Sequence, residues 1–296
     1  MRITSRMLMK NMLNNLSKNN RRLENVSQQL STGKRINKPS DDPGDTVRSL
    51  RIRTELNEIK QYRKNIDTAK SILQYSDDAL DNVGQGMHRA MELGVQALND
   101  TYDESQRQAI AAEINGILED MLQGGNSTFA NRYIFAGTTT NPPFVAERND
   151  NGEITSIEFV GNNESKPFEL GIGSTMDTGM NGPGIFNPVF DGLIALRNGL
   201  MSSNREDIST GYDQVKQAFD SLLVDRADLG ARVNQLELTE ERMASAEFNL
   251  KKLQSDVEDV DMYEAAMNLA NIEALHMAGL NVTARIIQPT LIDYLR

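Results

Sequence analysis

The sequence predicts a mainly α fold, elongated, with long coiled-coil-like helices drawn from both chain ends and a small β-rich insertion. Three observations predict it. Apolar residues recur at seven-residue intervals in three long runs, the two ends carry opposite charge, and a stretch rich in Gly, Pro, Asn and Thr between about Arg132 and Phe186 breaks the pattern. Composition agrees, because 296 residues with no Trp, 5% aromatic residues and 14 Met suit helices packed along seams better than one thick core.

The first run places Met9, Leu16, Leu23 and Leu30 at one seam position and Met12, Asn19 and Val26 at the other. The second places Ile59, Ile66, Leu73, Leu80 and Met87 beside Tyr62, Ala69, Ser76, Val83 and Ala90. Leu222, Leu229, Leu236, Met243, Leu250 and Val257 form the third. Sustained heptads specify helices that pack nearly parallel or antiparallel, and the partner can come from the same chain or from a neighbour. A shorter amphipathic helix is predicted from Glu104 to about Leu122, with Ile110, Ile114, Ile117 and Met121 on one face and Gly124-Gly125 at its end.

Between the first two runs, LSTGKRINKPSDDP (Leu30 to Pro43) reads as a helix stop followed by a helix start. Gly33 can take the left-handed conformation that closes a helix, and Pro39 prevents continuation. Asp41 and Asp42 then supply carboxylates, with Asp42 as N-cap, Pro43 at the first helical position and Asp45 in the first turn.

Charge separates the ends. Residues 1–64 carry 15 Lys and Arg against 6 Asp and Glu, whereas residues 203–296 carry 9 against 17. A basic arm could bind phosphates, but an acidic helical partner in the same chain and a net charge of -11 favour self-pairing over nucleic acid. The chain has no Cys, which excludes thiolate metal sites, disulfides and thiol catalysis. Neither a cleaved signal peptide nor membrane insertion is expected, since no segment approaches the roughly twenty apolar residues a span requires.

In the insertion, Phe144 to Glu147 and Ile154 to Val160 flank Asn149-Asp150-Asn151-Gly152 and read as a hairpin, with a third strand near Phe168 to Ile172. Glu147, Asn149, Asn151, Gly152 and Glu158 approach calcium-loop spacing, yet β-forming flanks favour a plain turn. Asp256, Glu258, Asp259 and Asp261 could hold a hard cation, but acids at a helix start are ordinarily stabilised by the helix dipole. The glycines at 179, 182 and 184 lack the Lys-Ser/Thr ending of a phosphate loop and are expected to be loop. His88 and His276 stand apart in predicted helices. No nucleophile, base and orienting group can be assembled, so no catalytic, cofactor or metal site is expected.

Three blocks resemble the flagellin superfamily. LSTGKRINKPSDDP is similar to its N-terminal signature, and SDVEDVDMYEAAMNLANIEALHMAGLNVTARIIQPTLIDYL (Ser255 to Leu295) to its C-terminal one. NRYIFAGTTTNPPF (Asn131 to Phe144) resembles the branch that joins hook to filament more than filament flagellins. The resemblance implies a rod of antiparallel helices: an inner domain of residues 1–40 and 256–296, a helical rod domain of 41–131 and 187–255, and an outer domain of 132–186. It implies a structural role without catalysis, export through the flagellar type III apparatus, and an extracellular place in the flagellum. The implied partners are a first hook-associated protein on the hook side, flagellin on the filament side, copies of the chain in a ring, and a cytosolic export chaperone at the C-terminal helix.

On that reading the assembly interface comprises Met9, Leu16, Leu23, Leu30, Leu269, Ile272, Leu280, Ile287, Leu291 and Leu295, and the inter-domain turn comprises Gly33, Pro39, Asp41, Asp42 and Pro43. A filament flagellin and a cytosolic coiled-coil scaffold remain as alternatives, the second leaving the paired terminal signatures unexplained.

Overall fold

A computed structural model describes residues 5–99, 102–150 and 152–287. In chain order the elements are α1 (Ser5–Thr32), α2 (Pro43–Ala97), α3 (Glu104–Gly125), β1 (Thr128–Phe129), β2 (Arg132–Tyr133), β3 (Phe144–Arg148), β4 (Ile154–Phe159), β5 (Phe168–Gly171), β6 (Ser174–Met176), α4 (Gly182–Ser202), α5 (Arg205–Glu258) and α6 (Met262–Ile287). The chain is mainly α, with long helices from both ends and short antiparallel ladders between them. Two compact units are present, one of described residues up to Glu58 and from Ala246, the other Ile59–Ser245.

In the first unit α1 packs against α6. Half-buried positions recur on α1 at Met12, Leu16, Asn19, Leu23, Val26 and Leu30, and on α6 at Leu269, Ile272, His276, Gly279 and Thr283 beyond the buried Ala265. Both series alternate steps of three and four, the spacing of one helical seam. An antiparallel bridge joins Lys34 to Asp259 beyond the helix ends, and a Cβ on Gly279 would lie 3.9 Å from Leu16. Antiparallel pairing at that register puts Asn19 level with His276, a polar layer within an apolar seam. A second small core gathers Ile52, Leu56 and Val257 under Ile36, Leu250 and Leu253.

In the second unit the predicted seams are the core. Ile66, Leu73, Leu80 and Met87 are buried with Ala69, Ser76, Val83 and Ala90, and face Leu222, Leu229 and Leu236 of α5. Arg226 bonds Asp77 and Asp81 at 3.0 and 2.7 Å while Lys70 bonds Glu237 at 2.9 Å, so α2 and α5 run antiparallel. His88 is exposed at the edge of this seam, its ring 4.5 Å from that of Phe219. In α3 the four expected apolar residues are all buried, behind a capping box in which Asp103 and Gln106 satisfy each other's backbone donors.

The centre of this unit is α4, which periodicity did not single out. Ile185, Phe186, Val189, Phe190, Leu193, Leu196 and Leu200 are all buried. Expected as loop, Gly182 and Gly184 instead open this helix: the Asn181 side chain accepts from the Gly184 N–H at 3.2 Å, and Pro183 pre-sets the first turn. Arg197 on α4 is buried too, donating to the Ile154 carbonyl at 2.6 Å and to Asn115 at 3.0 Å, which ties β4 to α3 and α4.

The insertion forms three separate two-stranded antiparallel ladders, β1 with β2, β3 with β4, and β5 with β6. The β3–β4 hairpin runs from Phe144 opposite Phe159 to Arg148 opposite Ile154. Within the calcium-like spacing, Asn149 accepts from the Glu153 N–H at 2.9 Å and Glu147 from the Ser156 hydroxyl at 2.7 Å, so both serve the hairpin; Asn151 lies outside the described residues. The Asn131–Phe144 block seats the insertion. Phe135 meets Phe186 edge-to-face and Phe144 meets it at a tilt, with ring centroids 4.8 and 5.2 Å away, and the Asn126 side chain makes two hydrogen bonds to the Phe144 backbone.

Gly137, midway along this block, lies in the left-handed region, where an added Cβ would lie 2.0 Å from the Asn162 carbonyl oxygen. Gly137→Ala is therefore predicted to destabilise the second unit by about 2 kcal/mol or more, read as a lowered urea midpoint. An unchanged midpoint would mean that the loop relaxes freely around the methyl group.

Candidate functional site

The first unit contains a polar centre built from segments more than 200 residues apart. α1 ends at Gly33, whose φ of 69° suits glycine and whose N–H bonds the Gln29 carbonyl at 2.8 Å. The chain then passes the last turn of α5. The Arg35 N–H donates to the Glu258 carbonyl at 2.7 Å, the Arg35 guanidinium to the Val257 carbonyl at 2.8 Å, and the Val260 N–H to the Gly33 carbonyl at 3.1 Å. Carbonyls left open at a helix C-terminus are thus capped from the far end of the chain.

Side chains complete the clamp. Glu258, with only 2% of its side chain exposed, accepts two hydrogen bonds from Arg53, at 2.8 and 2.9 Å, and one from Lys34 at 3.2 Å. Ser49 and Gln254 donate to it as well. Arg53's hydrogen bonds come first, and with those of Ser49, Gln254 and Lys34 they outweigh the cost of burial, holding the carboxyl well below the usual carboxylate range. Lys34 also bonds Asp259 at 2.7 Å, chiefly through which Asp259 is lowered and Lys34 raised.

The neighbouring turn is built as its residue types require. Asp41 accepts from the Asn37 and Lys38 N–H groups at 3.1 and 2.8 Å, and Pro39 is exposed in the turn closed by Asp41 N–H to Lys38 carbonyl. Asp42 accepts from the Asp45 N–H at 3.0 Å as N-cap, with Pro43 opening α2. Arg35 bridges Asp42 at 3.5 Å and also bonds Asp45.

Of the four clustered acids, only Asp261 precedes a helix, accepting from the Tyr263 and Glu264 N–H groups. Glu258 instead ends α5 and Asp259 follows it, where the helix dipole disfavours them, and Lys34 and Arg53 supply the compensating charge. Among the described residues no group of His, Asp and Glu is arranged to hold a metal ion.

The interface positions sort into two classes. Leu16, Leu23, Leu30, Leu269 and Ile272 are half-buried in the α1–α6 seam, whereas Met9 is 37% and Leu280 45% exposed. Ile287 ends α6; its side chain, with Leu291 and Leu295, lies outside the described residues. Sequence periodicity did not single out the rest of the exposed apolar surface: Met7 and Leu13 on α1, and Met262, Tyr263, Met267, Leu275, Met277 and Val282 on α6. Those on α6 lie on the sides that the seam leaves free. Between Met262 and Val282 only Glu264 and Glu273 carry charge, and that scarcity was the available signal.

The bacterial flagellin N-terminal helical region matches residues 3–140, and the bacterial flagellin C-terminal helical region matches residues 212–295. The chain belongs to the bacterial flagellin family. Across most of its length this flagellin-family chain is 24% identical to flagellar hook-associated protein 3 of Escherichia coli, covering 88% of this chain and 89% of that one. It is 27% identical to a flagellin of Bacillus subtilis over 96% of each. The structure of the flagellar junction protein FlgL from Legionella pneumophila shares its fold, with a TM-score of 0.58 and 15% identity over 73% of this chain and all of that one. The family is one of structural proteins. No described helix is long and apolar enough to cross a membrane.

Glu258 gives a prediction with a defined sign. Its folded pKa lies below its unfolded value, near 4.3, so its contribution is complete above that value and is lost as pH falls below it. Glu258→Gln should lower the stability of the first unit at pH 7 by roughly 1.5–3 kcal/mol, the range for hydrogen bonds to a charged group. It should also flatten the loss of stability between pH 5 and pH 3, both read by urea unfolding followed at probes in residues 246–287. Equal acid sensitivity in the two proteins would remove Glu258 from this role.

Proposed function

We propose that this chain is a third hook-associated protein, a structural subunit that forms the layer between hook and filament and is required for filament assembly and motility. The reading is supported by the relatives named above, by the Asn131–Phe144 block, and above all by the apolar perimeter of α6. A helix with large apolar residues exposed around most of its circumference is stabilised by further burial, and α1 covers only one side. Neighbouring subunits would supply the rest, each fully buried side chain contributing roughly 1.5–3 kcal/mol.

In this proposal the three-part division holds, with 1–40 and 256–296 as inner domain, 41–131 and 187–255 as helical rod and 132–186 as outer domain. The turn of Gly33, Pro39, Asp41, Asp42 and Pro43 passes the chain from inner domain to rod. Met9, Leu16, Leu23, Leu30, Leu269, Ile272, Leu280, Ile287, Leu291 and Leu295 bury against neighbours. A first hook-associated protein lies on the hook side, flagellin on the filament side, and copies of the chain complete a ring. The subunit leaves through the flagellar type III apparatus without a cleaved signal peptide, and a cytosolic chaperone covers the C-terminal apolar helix beforehand. It catalyses no reaction.

The greater identity to a Bacillus flagellin favours a second reading, a filament subunit. Electron microscopy of a deletion strain, with flagellin quantified in the medium, separates the two. Bare hooks with shed flagellin are expected; normal filaments would refute the junction role, and bare hooks without shed flagellin would identify the filament subunit. In dilute monomer, amides of residues 5–30 and 262–287 are expected to exchange hydrogen much faster than those of 66–90, because coupled ordering waits for assembly. Strong protection of both ends before assembly would contradict this.

A further inference from the structure

The second unit carries a cavity of about 340 Å³, within the usual range of small-molecule sites. Its walls are Ile72 of α2, Phe129 and Tyr133 of the β1–β2 ladder, Ile134 just beyond it, and Phe168 of β5, each half-buried. Ile134 and Phe168 rest on the core and the Phe129 ring lies 4.8 Å from that of Tyr75, so these walls are formed before any ligand arrives. The rim is cationic. Arg132 and Lys166 line the cavity from exposed positions, and neither makes an ion pair or a side-chain hydrogen bond among the described residues. No acidic residue lines it, in a chain whose net charge is -11. The backbone places Arg132 there. The β1–β2 hairpin pairs Phe129 with Arg132 and turns through Ala130 and Asn131, at φ of 47° and 66°. Residues opposite one another in an antiparallel pair share a face, so the Arg132 side chain stands beside the Phe129 ring. Ala130 also lines the cavity, and an alanine in the left-handed region is strained in the way that backbone at ligand clamps often is.

We infer that this cavity binds a small apolar carboxylate, its hydrocarbon part among Phe129, Tyr133 and Phe168 and its carboxylate on Arg132 and Lys166. The planar guanidinium of Arg132 matches two carboxylate oxygens at once, and Lys166 adds a point charge. Aromatic walls give the hydrocarbon part its burial. A free inorganic anion would lose hydration against such walls without compensation, and a folded partner would need roughly 800 Å² of matching surface, which a cavity of this size does not offer. The site is independent of whether the chain is a junction or a filament subunit.

Isoleucine methyl NMR of the full chain, titrated with phenylbutyrate, tests this. Saturable shifts are expected at the Ile72 and Ile134 methyls in the low-millimolar range, while the methyl of Ile208, buried elsewhere in the core, stays in place. The uncharged phenylbutyramide should bind about fivefold more weakly, and R132Q/K166Q should erase that preference with the Ile208 signal unchanged. Thr68→Trp, which fills the cavity from an exposed position on α2, should abolish the titration. Ile72 and Ile134 methyls that do not respond would overturn the site. Equal binding of acid and amide by the parent chain would overturn the carboxylate class in favour of a pocket for a partner's apolar side chain. Titration that persists in Thr68→Trp would put the ligand on the exposed apolar surface instead and equally overturn the proposal.

Discussion

A carboxylate sealed from water at the end of a helix is an unstable arrangement unless cations come to it, and in this chain they come from the opposite end of the sequence. Glu258 closes α5, where the dipole disfavours negative charge, and it is satisfied by Arg53 and Ser49 on α2, Lys34 on the connecting turn and Gln254 one turn back. The same turn caps the α5 carbonyls through Arg35. The paths by which α1 enters α2 and α5 enters α6 are therefore set by a single knot of bonds. Beneath it, Ile52, Leu56 and Val257 supply only a small apolar core, so polar geometry carries much of the specification there.

The two units solve the packing problem differently. Residues 59–245 enclose a continuous core of four helices and the aromatic cluster around Phe186, with most large apolar side chains out of water. The α1–α6 pair has one seam, and that seam includes Asn19, His276, Gly279 and Thr283. A polar layer costs stability but restricts register, and a heptad seam would otherwise slide readily by one repeat. Low self-sufficiency with defined register suits an element completed by neighbours.

Much of this was legible in the chain itself because local rules generate it. Heptads at Ile66 to Met87 and Leu222 to Leu236 became the buried seam, Ile110, Ile114, Ile117 and Met121 the buried face of α3, and Asn149 to Gly152 a hairpin turn. Other features depend on contacts no window of sequence contains. α4 buries a wide face and exposes a narrow edge at Gly184, Pro188, Asp191 and Asn198, and Pro188 and its four glycines read in sequence as breakers that mask the helical period. The β1–β2 ladder is two residues per strand, too short for alternation to register. The acids at 256–261 looked alike in sequence, yet partners over 200 positions away enclose Glu258, while Asp261 caps α6 through its own neighbours.

The clamp also sets an order of events. Lys34 and Glu258 are separated by 224 positions, so the loop between them must be closed before either gains its partner, at an entropic cost that grows with the logarithm of loop length. The intervening unit, Ile59–Ser245, shortens that loop as it folds. Whichever end of the chain folds first, the turn after α1 cannot find its seat until the polypeptide through Glu258 is present. The clamp is in this sense a check on completeness written in geometry: it closes only once the chain from Lys34 to Glu258 is all present.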